Sequence, residues 1–337
     1  MRVYVAIPTH RNFGRTIGKT LEALAKQTYR DFKVLIAYKP FPGDKTLGIV
    51  DKFRDKLDIE IIIQNEGYFE EALNLIYRNA DGDLLITTDD DAIPELDWVR
   101  KHIQLHKQYP RVAVIGGKVI SSPITRNTID TIYTILSRVI KSVIGFYKPL
   151  FNELRNYVSY YNDMGFFVYG DNYIKKDFEL LQTMWIIGAN MSVKRATYEG
   201  FELPCSTIRG LGNESLLSLH AILKGFKVLK TSAIKVIHLE RESLSRPKDV
   251  RLAAIEEAIF PYNVYRIYGH INIQKLKLYL NVIKMLYNVE RLFRKQFPIL
   301  ESRFLAVPIA LQAIEEDRLP KWIRSRLELL ARRIRSI

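Results

Sequence analysis

DLLITTDDD, residues 83–91, is a short strand-like run, apolar at its centre, that ends in three consecutive aspartates, Asp89, Asp90 and Asp91. Adjacent carboxylates repel and hold one another's protons unless a cation intervenes. Along an extended chain alternate residues point to the same side, so Asp89 and Asp91 can converge on one ion while Asp90 faces elsewhere. Oxygen ligands of this kind suit Mg²⁺ or Mn²⁺ and leave coordination positions open for substrate phosphates. The triplet also reads as a turn, because Asp is common in loops and at helix starts and AIPELDWV follows Asp91 directly.

The surrounding pattern favours the metal. Upstream, RVYVAIP (2–8) reads as a buried strand and TIGKTLEALAKQ (16–27) has apolar residues at helical spacing. KVLIAY (33–38) is a second strand, GIVDKFRDKL (48–57) a helix, EIIIQ (60–64) a third strand and EEALNLIYRNA (70–80) a helix, which makes residues 83–88 the fourth strand. Repeated strand–helix units predict an α/β fold with a mostly parallel sheet, helices on both faces and ligands at the carboxyl ends of the strands. Pro8, Tyr38, Asn65 and Asp89 fall at such ends. Downstream, VRKHIQLHKQ (99–108) reads as a helix, and VAVIGGKVI (112–120), WIIGANMSVKR (185–195) and FKVLKTSAIKVIHL (226–239) as strands, with LLSLHAILKG (216–225) helical before the last. Residues 124–184 form a looser segment rich in Tyr and Phe, and beyond about 250 the chain is helical and basic.

Composition bounds the rest. The 337 residues suffice for one large α/β domain and a smaller appendage, and 47% hydrophobic with 26% charged residues is ordinary for a folded chain. A single cysteine, Cys205, excludes an internal disulfide and any CxxC metal pair, and fits a reducing compartment. MRVYVAIPTH enters a strand at once, which predicts no signal peptide. The longest apolar stretches, around 129–150 and 276–290, are broken by Arg138, Lys141, Lys148, Lys277 and Lys284, short of the roughly 18 residues a membrane span needs. The expected location is cytoplasmic, with peripheral contact at the membrane face included. A net charge of +14 implies attraction to something anionic, whether a nucleotide diphosphate, lipid headgroups or nucleic acid, and also reads as a device for solubility or a thermophile's charge habit.

Several segments in order make the stretch from residue 1 to about 245 resemble the family 2 inverting glycosyltransferases of GT-A fold. They are IPTHRN, LEALAKQTYRDFKVLIAY, NEGYFEEALNLIYRNADGDLLITTDDDAIP with its D-x-D motif, GANMSVKR, and GLGNESLLSLHAILKGFKVL. The resemblance implies a GT-A domain over 1–245, with 124–184 shaping the acceptor side, and a basic helical region over 246–337. It implies transfer of a sugar from a UDP- or GDP-sugar to a hydroxyl of a glycan or lipid-linked acceptor, with inversion and with Mn²⁺ or Mg²⁺ as cofactor.

Carried over by position, Pro8, Thr9, Tyr38, Asn65, Asp89 and Asp90 line the donor site. Asp89 and Asp91 hold the metal, joined by His238, which is otherwise readable as a structural histidine at a strand end. Glu214 stands where the family has its catalytic base; by itself it also reads as a first-turn helix glutamate favoured by the helix dipole. Two departures stand out: Tyr38 and Lys39 replace the aspartates that follow the family's second strand, and Asn213-Glu214 replaces its glutamate–aspartate pair. Arg241 and Arg246 are candidates for gripping the diphosphate, and Arg291, Arg294, Lys295, Arg332, Arg333 and Arg335 for meeting an anionic membrane.

Two rival readings differ in class. A nucleotidyltransferase would want a phosphate loop rich in Gly, Arg and Lys after the first strand, and IPTHRNFGRTIGKT has only scattered glycines. A non-catalytic basic scaffold for membrane or nucleic acid would not need carboxylates at a strand end, which oppose polyanion binding. No nucleic-acid partner is therefore expected.

Overall fold

In the computed structural model the chain is described over residues 1–121, 141–170, 177–239, 250–292 and 298–335. It forms two compact units, one from residues 1–122, 171–203 and 213–241, the other from 123–170, 204–212 and 242–337.

The first unit begins with β1 (Val3–His10), whose residues from Val3 to Thr9 are all buried, as expected of a strand covered on both faces. α1 (Ile17–Ala25) turns Ile17, Leu21 and Leu24 into the core, the i, i+4, i+7 face of a helix. Its first amides are satisfied from outside: Asn12 Oδ1 accepts from the N–H groups of Thr16 at 3.2 Å and Ile17 at 3.3 Å. β2 (Lys33–Lys39) follows. α2 (Thr46–Val50) is shorter than the helix expected over 48–57 and starts earlier. Asp44 Oδ1 accepts from the Thr46 N–H at 2.8 Å and sets that start, while the polar run after Val50 keeps only a single 3₁₀ turn, Asp51–Phe53, because few of its side chains reach the core. β3 (Asp58–Ile63), α3 (Phe69–Asn79) and β4 (Leu84–Thr87) complete the repeating units.

After the aspartates the chain forms a strand, β5 (Ala92–Pro94), then α4 (Trp98–Gln108) and β6 (Val112–Ile120). Two short strands, β7 (Tyr160–Tyr161) and β8 (Phe167–Val168), pair with each other in the second unit. The first unit resumes with β9 (Leu181–Gln182), β10 (Met191–Lys194), α5 (Arg195–Tyr198), α6 (Asn213–Leu223) and β11 (Lys227–His238). Among the described residues the strand order is β3-β2-β1-β4-β10-β6-β11-β5, with β9 on β11. β1 to β4, β6 and β11 run one way; β10, β5 and β9 run against them, so the sheet is mostly parallel, as expected.

The strand expected over 185–195 begins only at Met191, after a 3₁₀ turn at Gly188–Asn190. Side-chain bonds hold that turn. Thr87 Oγ1 donates to Gly188 O at 2.7 Å, and Asn190 Nδ2 donates to the carbonyls of Lys118 (3.0 Å) and Ile234 (3.1 Å), where the β6–β11 register breaks. Gly117 has to be glycine there, since a Cβ would stand 2.2 Å from Asn190 Nδ2. Beneath, Asn190 Oδ1 accepts from Trp98 Nε1 at 2.8 Å and lies 3.1 Å from His102 Nε2; Ser192 Oγ lies 2.8 Å from His102 Nδ1 and 2.9 Å from His106 Nε2. Burial lowers both imidazoles, to about 4 for His102 and about 3 for His106, so both are neutral.

The second unit is helical, as expected beyond residue 250: α7 (Val250–Ala258), α8 (Phe260–Tyr268), α9 (Ile273–Leu292), α10 (Pro298–Glu315) and α11 (Pro320–Arg335). Its buried Glu256 accepts from the backbone N–H groups of Ile208 (2.9 Å), Arg209 (2.8 Å) and Leu211 (3.3 Å), organising that loop around one carboxylate. Lys275 ties α9 to Asp163 at 2.9 and 3.0 Å. No helix among the described residues is long and apolar enough to cross a membrane.

Candidate active site

The acidic triplet follows β4, whose residues are all buried. β4 ends at Thr87 and the aspartates form a turn, with the Ala92 N–H donating to Asp89 O at 3.2 Å. Asp89 and Asp91 are brought together by that turn and not by strand alternation, and β5 brings them a third group. Because β5 runs antiparallel to β11 with His238 opposite Ala92, the imidazole lands beside the aspartates. His238 Nε2 lies 3.1 Å from Asp89 Oδ2 and 3.4 Å from Asp91 Oδ1, and one ligand atom from each residue falls within 4.8 Å of the others. The Leu239 N–H donates to Asp91 O at 2.8 Å, locking the strand end to the acidic turn. His238 Nδ1 lies 3.2 Å from Leu239 O; a proton there leaves the Nε2 lone pair for a cation. Burial pulls the His238 pKa down, but the hydrogen bond with Asp89 and the charges of Asp89 and Asp91 outweigh it and leave it raised. Two carboxylates and an imidazole at this spacing can hold one divalent metal ion.

Asp90 points the other way. Thr9 Oγ1 donates to its Oδ2 at 2.5 Å, and Asn12 Nδ2 donates to its carbonyl at 3.2 Å, so the loop after β1 is tied to the acidic turn. Thr9 and Asp90 are both buried.

Glu214 lies in the first turn of α6, half-buried, against Gly188. Burial pushes its pKa up to about 7; a hydrogen bond with the Gly188 backbone opposes this, and the charge of Asp89 adds to it. Through Gly188 it is linked to Thr87, two residues before Asp89. Tyr77, buried nearby, is raised by its own burial and by the charge of Glu214.

The other expected donor residues are placed as follows. Pro8 and Tyr38 lie inside their strands, which run on to His10 and Lys39, and Pro8 is paired with Ala37. Tyr38 is 4% exposed, part of the apolar core. Asn65 is exposed just beyond β3, in a loop held by Gln64, whose Nε2 donates to the carbonyls of Glu66 (2.9 Å) and Tyr68 (2.7 Å). Lys39 Nζ donates to the Gly67 carbonyl of the same loop. Arg241, Arg246, Arg294 and Lys295, with the side chains of Arg291 and Arg335, lie outside the described residues, whereas Arg332 and Arg333 are exposed on α11.

Sequence reading missed an aromatic group beside this site. Phe41, after β2, meets Phe13 (ring centroids 5.8 Å apart) and His10 (5.9 Å), with the Arg11 guanidinium 4.1 Å from its ring. Arg11 and Phe13 adopt positive φ, 53° and 57°, in the loop that Asn12 anchors. Strained residues at such a loop are a common mark of ligand sites. The rings come from two separate loops, so no periodicity in the sequence announces them.

The glycosyl transferase family 2 profile matches residues 4–177, about half of the chain, and the chain belongs to that family. It is 29% identical over 118 residues to the uncharacterized glycosyltransferase YfnE of Bacillus subtilis (strain 168), covering 34% of this chain and 30% of that one. The chain therefore matches about a third of that relative's length. Among solved structures it resembles S. aureus TarS 1-349 in complex with UDP-GlcNAc, with a TM-score of 0.55, 15% identity, and 98% and 92% of the two chains covered. It also resembles GalNAc-T7 with UDP, GalNAc and Mn²⁺, with a TM-score of 0.50, 13% identity, and 72% and 43% covered. These likenesses establish the GT-A fold expected from the sequence.

Proposed function

We propose that the protein is a metal-dependent inverting glycosyltransferase that moves a sugar from a UDP- or GDP-sugar to an acceptor hydroxyl on a glycan or lipid-linked glycan. The observation that carries this is the joining of Asp89, Asp91 and His238 to Glu214 through Gly188 and Thr87, within one sheet-based unit. Glu214 is the base. Its carboxylate takes the proton of the acceptor hydroxyl as that oxygen bonds to the anomeric carbon, while the carbon–oxygen bond to the diphosphate breaks and the electron pair leaves with the diphosphate. Attack from the face opposite the leaving group inverts the anomeric carbon.

Asp89, Asp91 and His238 would hold a divalent cation, which when bound neutralises the charge building on the diphosphate. The imidazole nitrogen favours Mn²⁺ over Mg²⁺, which prefers oxygen donors. Pro8, Thr9, Asn65 and Asp90 frame the nucleotide, with Thr9 and Asp90 acting on each other and positioning the loop of Asn12. Tyr38, buried in the core, supports that wall from behind, and the rings of Phe41 and Phe13 offer the nucleotide base an aromatic partner. The UDP complexes of TarS and GalNAc-T7 support uridine as the first nucleotide to test. α9 exposes Leu278, Met285 and Val289 beside Lys277 and Lys284, which supports a peripheral lipid contact on the acceptor side of the reading.

The test is a thermal-shift and calorimetric panel of UDP-, GDP- and dTDP-sugars with Mn²⁺, Mg²⁺ or chelator, on the wild type and Asp91→Ala. Metal-dependent stabilisation by one nucleotide class, lost in the variant, is expected. Absence of binding under every condition would overturn the donor site.

A further inference from the structure

One row of paired residues crosses the sheet, from Thr87 on β4 to Met191 on β10, Gly116 on β6 and Lys230 on β11. Paired residues in neighbouring strands present their side chains to the same face. Over that face runs the segment 185–188. Gly188 O takes the hydroxyl of Thr87 at 2.7 Å, a Cβ on Gly116 would stand 2.8 Å from Ile186 Cδ1, and the Lys230 Nζ lies 3.7 Å from the centroid of the Trp185 ring. The segment thus connects two ends of one row: Glu214 and the acidic turn at the Thr87 end, Lys230 and Trp185 at the other. Three strand spacings of about 4.8 Å put the ends roughly 14 Å apart.

The Lys230 end is unusual. Lys230 is only 6% exposed, and among the described residues its ammonium makes no hydrogen bond and no ion pair. Burial lowers its pKa to about 8, so near neutral pH it remains mostly a cation. A buried cation is ordinarily matched by a carboxylate, because an aromatic face compensates only part of the lost hydration. Here the compensation is the face of Trp185, which is itself half-buried. A cation whose donors are unused among the described residues, beside a partly open indole, can take an anionic group.

We infer that Lys230 and Trp185 form a subsite for a carboxylate or phosphate carried by the acceptor glycan, away from the hydroxyl that reacts. This rests on the proposed glycosyltransferase reading and narrows its acceptor to an acidic or phosphorylated glycan. The subsite lies on the same sheet face as Glu214, so an acceptor held by its anionic group at Lys230 extends along segment 185–188 toward the base. The Lys230 charge selects the acceptor and takes no part in bond making.

The test uses the full chain labelled with ¹⁵N-tryptophan, in chelator so that no metal-bridged binding at Asp89 and Asp91 contributes. D-glucuronate, glucose 6-phosphate and D-glucose are titrated while the indole N–H signals of the three tryptophans are followed, with Trp185 assigned by Trp185→Phe. The Trp185 signal is expected to shift and saturate with at least one anionic sugar, at a concentration at least tenfold below any response to D-glucose. Trp98 and Trp322 should stay in place. Glucuronate alone assigns a carboxylate, glucose 6-phosphate alone a phosphate. Lys230→Met should abolish the shift and Lys230→Arg retain it, both keeping the wild-type thermal shift with nucleotide sugar and metal. An equal response to D-glucose, no response to either acid, or a response that survives in Lys230→Met overturns the subsite. Loss of the donor-induced thermal shift in the wild type would instead count against the glycosyltransferase reading.

Discussion

Glu214 and Gly188 are packed so closely that a Cβ on Gly188 would stand 2.5 Å from Glu214 Oε1. The carboxylate of Glu214 therefore occupies the place of a side chain on the opposite loop. Gly188→Ala should displace it and lower the rate of nucleoside diphosphate release from the nucleotide sugar at least tenfold, about 1.4 kcal/mol in the barrier. Donor binding by thermal shift should be unchanged. An unaltered rate would show that the contact does not position the base.

The titration of Glu214 gives a pH prediction. The base works only when ionised, so activity should rise with pH through about 7 and level off above it. A metal ion beside Asp89 relieves part of the repulsion and moves this limb downward. Glu214→Gln should lower the rate by about 10²–10⁴ and remove the limb.

The same titration has the opposite sign for stability. Raised from 4.5 to about 7, the carboxyl favours the fold in its protonated form; that contribution is full below pH 4.5 and lost as pH rises through 7. At pH 9 the buried charge costs the metal-free fold on the order of 3 kcal/mol. Glu214→Gln should thus melt higher than the wild type at pH 9 and equally at pH 4, by calorimetry in chelator.

His238→Ala removes the one nitrogen from the cluster. Mn²⁺ affinity, measured calorimetrically with nucleotide present, should fall at least tenfold, and the preference for Mn²⁺ over Mg²⁺ should narrow. In the wild type, affinity should also weaken as pH drops and His238 takes up a proton. Equal Mn²⁺ binding in His238→Ala would remove His238 from the ligand set.

Asn190→Ala should be among the most destabilising single changes in the first unit. It leaves Trp98 Nε1, His102 and the carbonyls of Lys118 and Ile234 without their buried partner. Each unsatisfied group costs about 1–3 kcal/mol, so a loss above about 3 kcal/mol is expected in chemical denaturation. A loss below 1 kcal/mol would mean that water replaces the amide.

Much of this was legible in the chain. The repeating strands and helices of residues 2–88 appear close to their expected positions, because buried parallel strands are continuous apolar runs and their helices carry one apolar face. The helix over 48–57 and the long strand over 185–195 did not form as read, since local periodicity carries no information on the capping by Asp44 or on the side-chain bonds of Thr87 and Asn190.

The sequence by itself determined the alternation of strands and helices over residues 2–88 and the placing of the three aspartates directly after the fourth strand, consequences of residue spacing along a regular backbone. The turn that brings Asp89 and Asp91 together belongs to the fold. Only the tertiary structure decided that His238, 149 residues after Asp89, would meet it. Only it could put Gly188 under Glu214, Phe41 beside Phe13, and Trp185 over Lys230. Those meetings depend on strand register and loop closure, which are fixed by the packing of the whole sheet and not by any one segment of it.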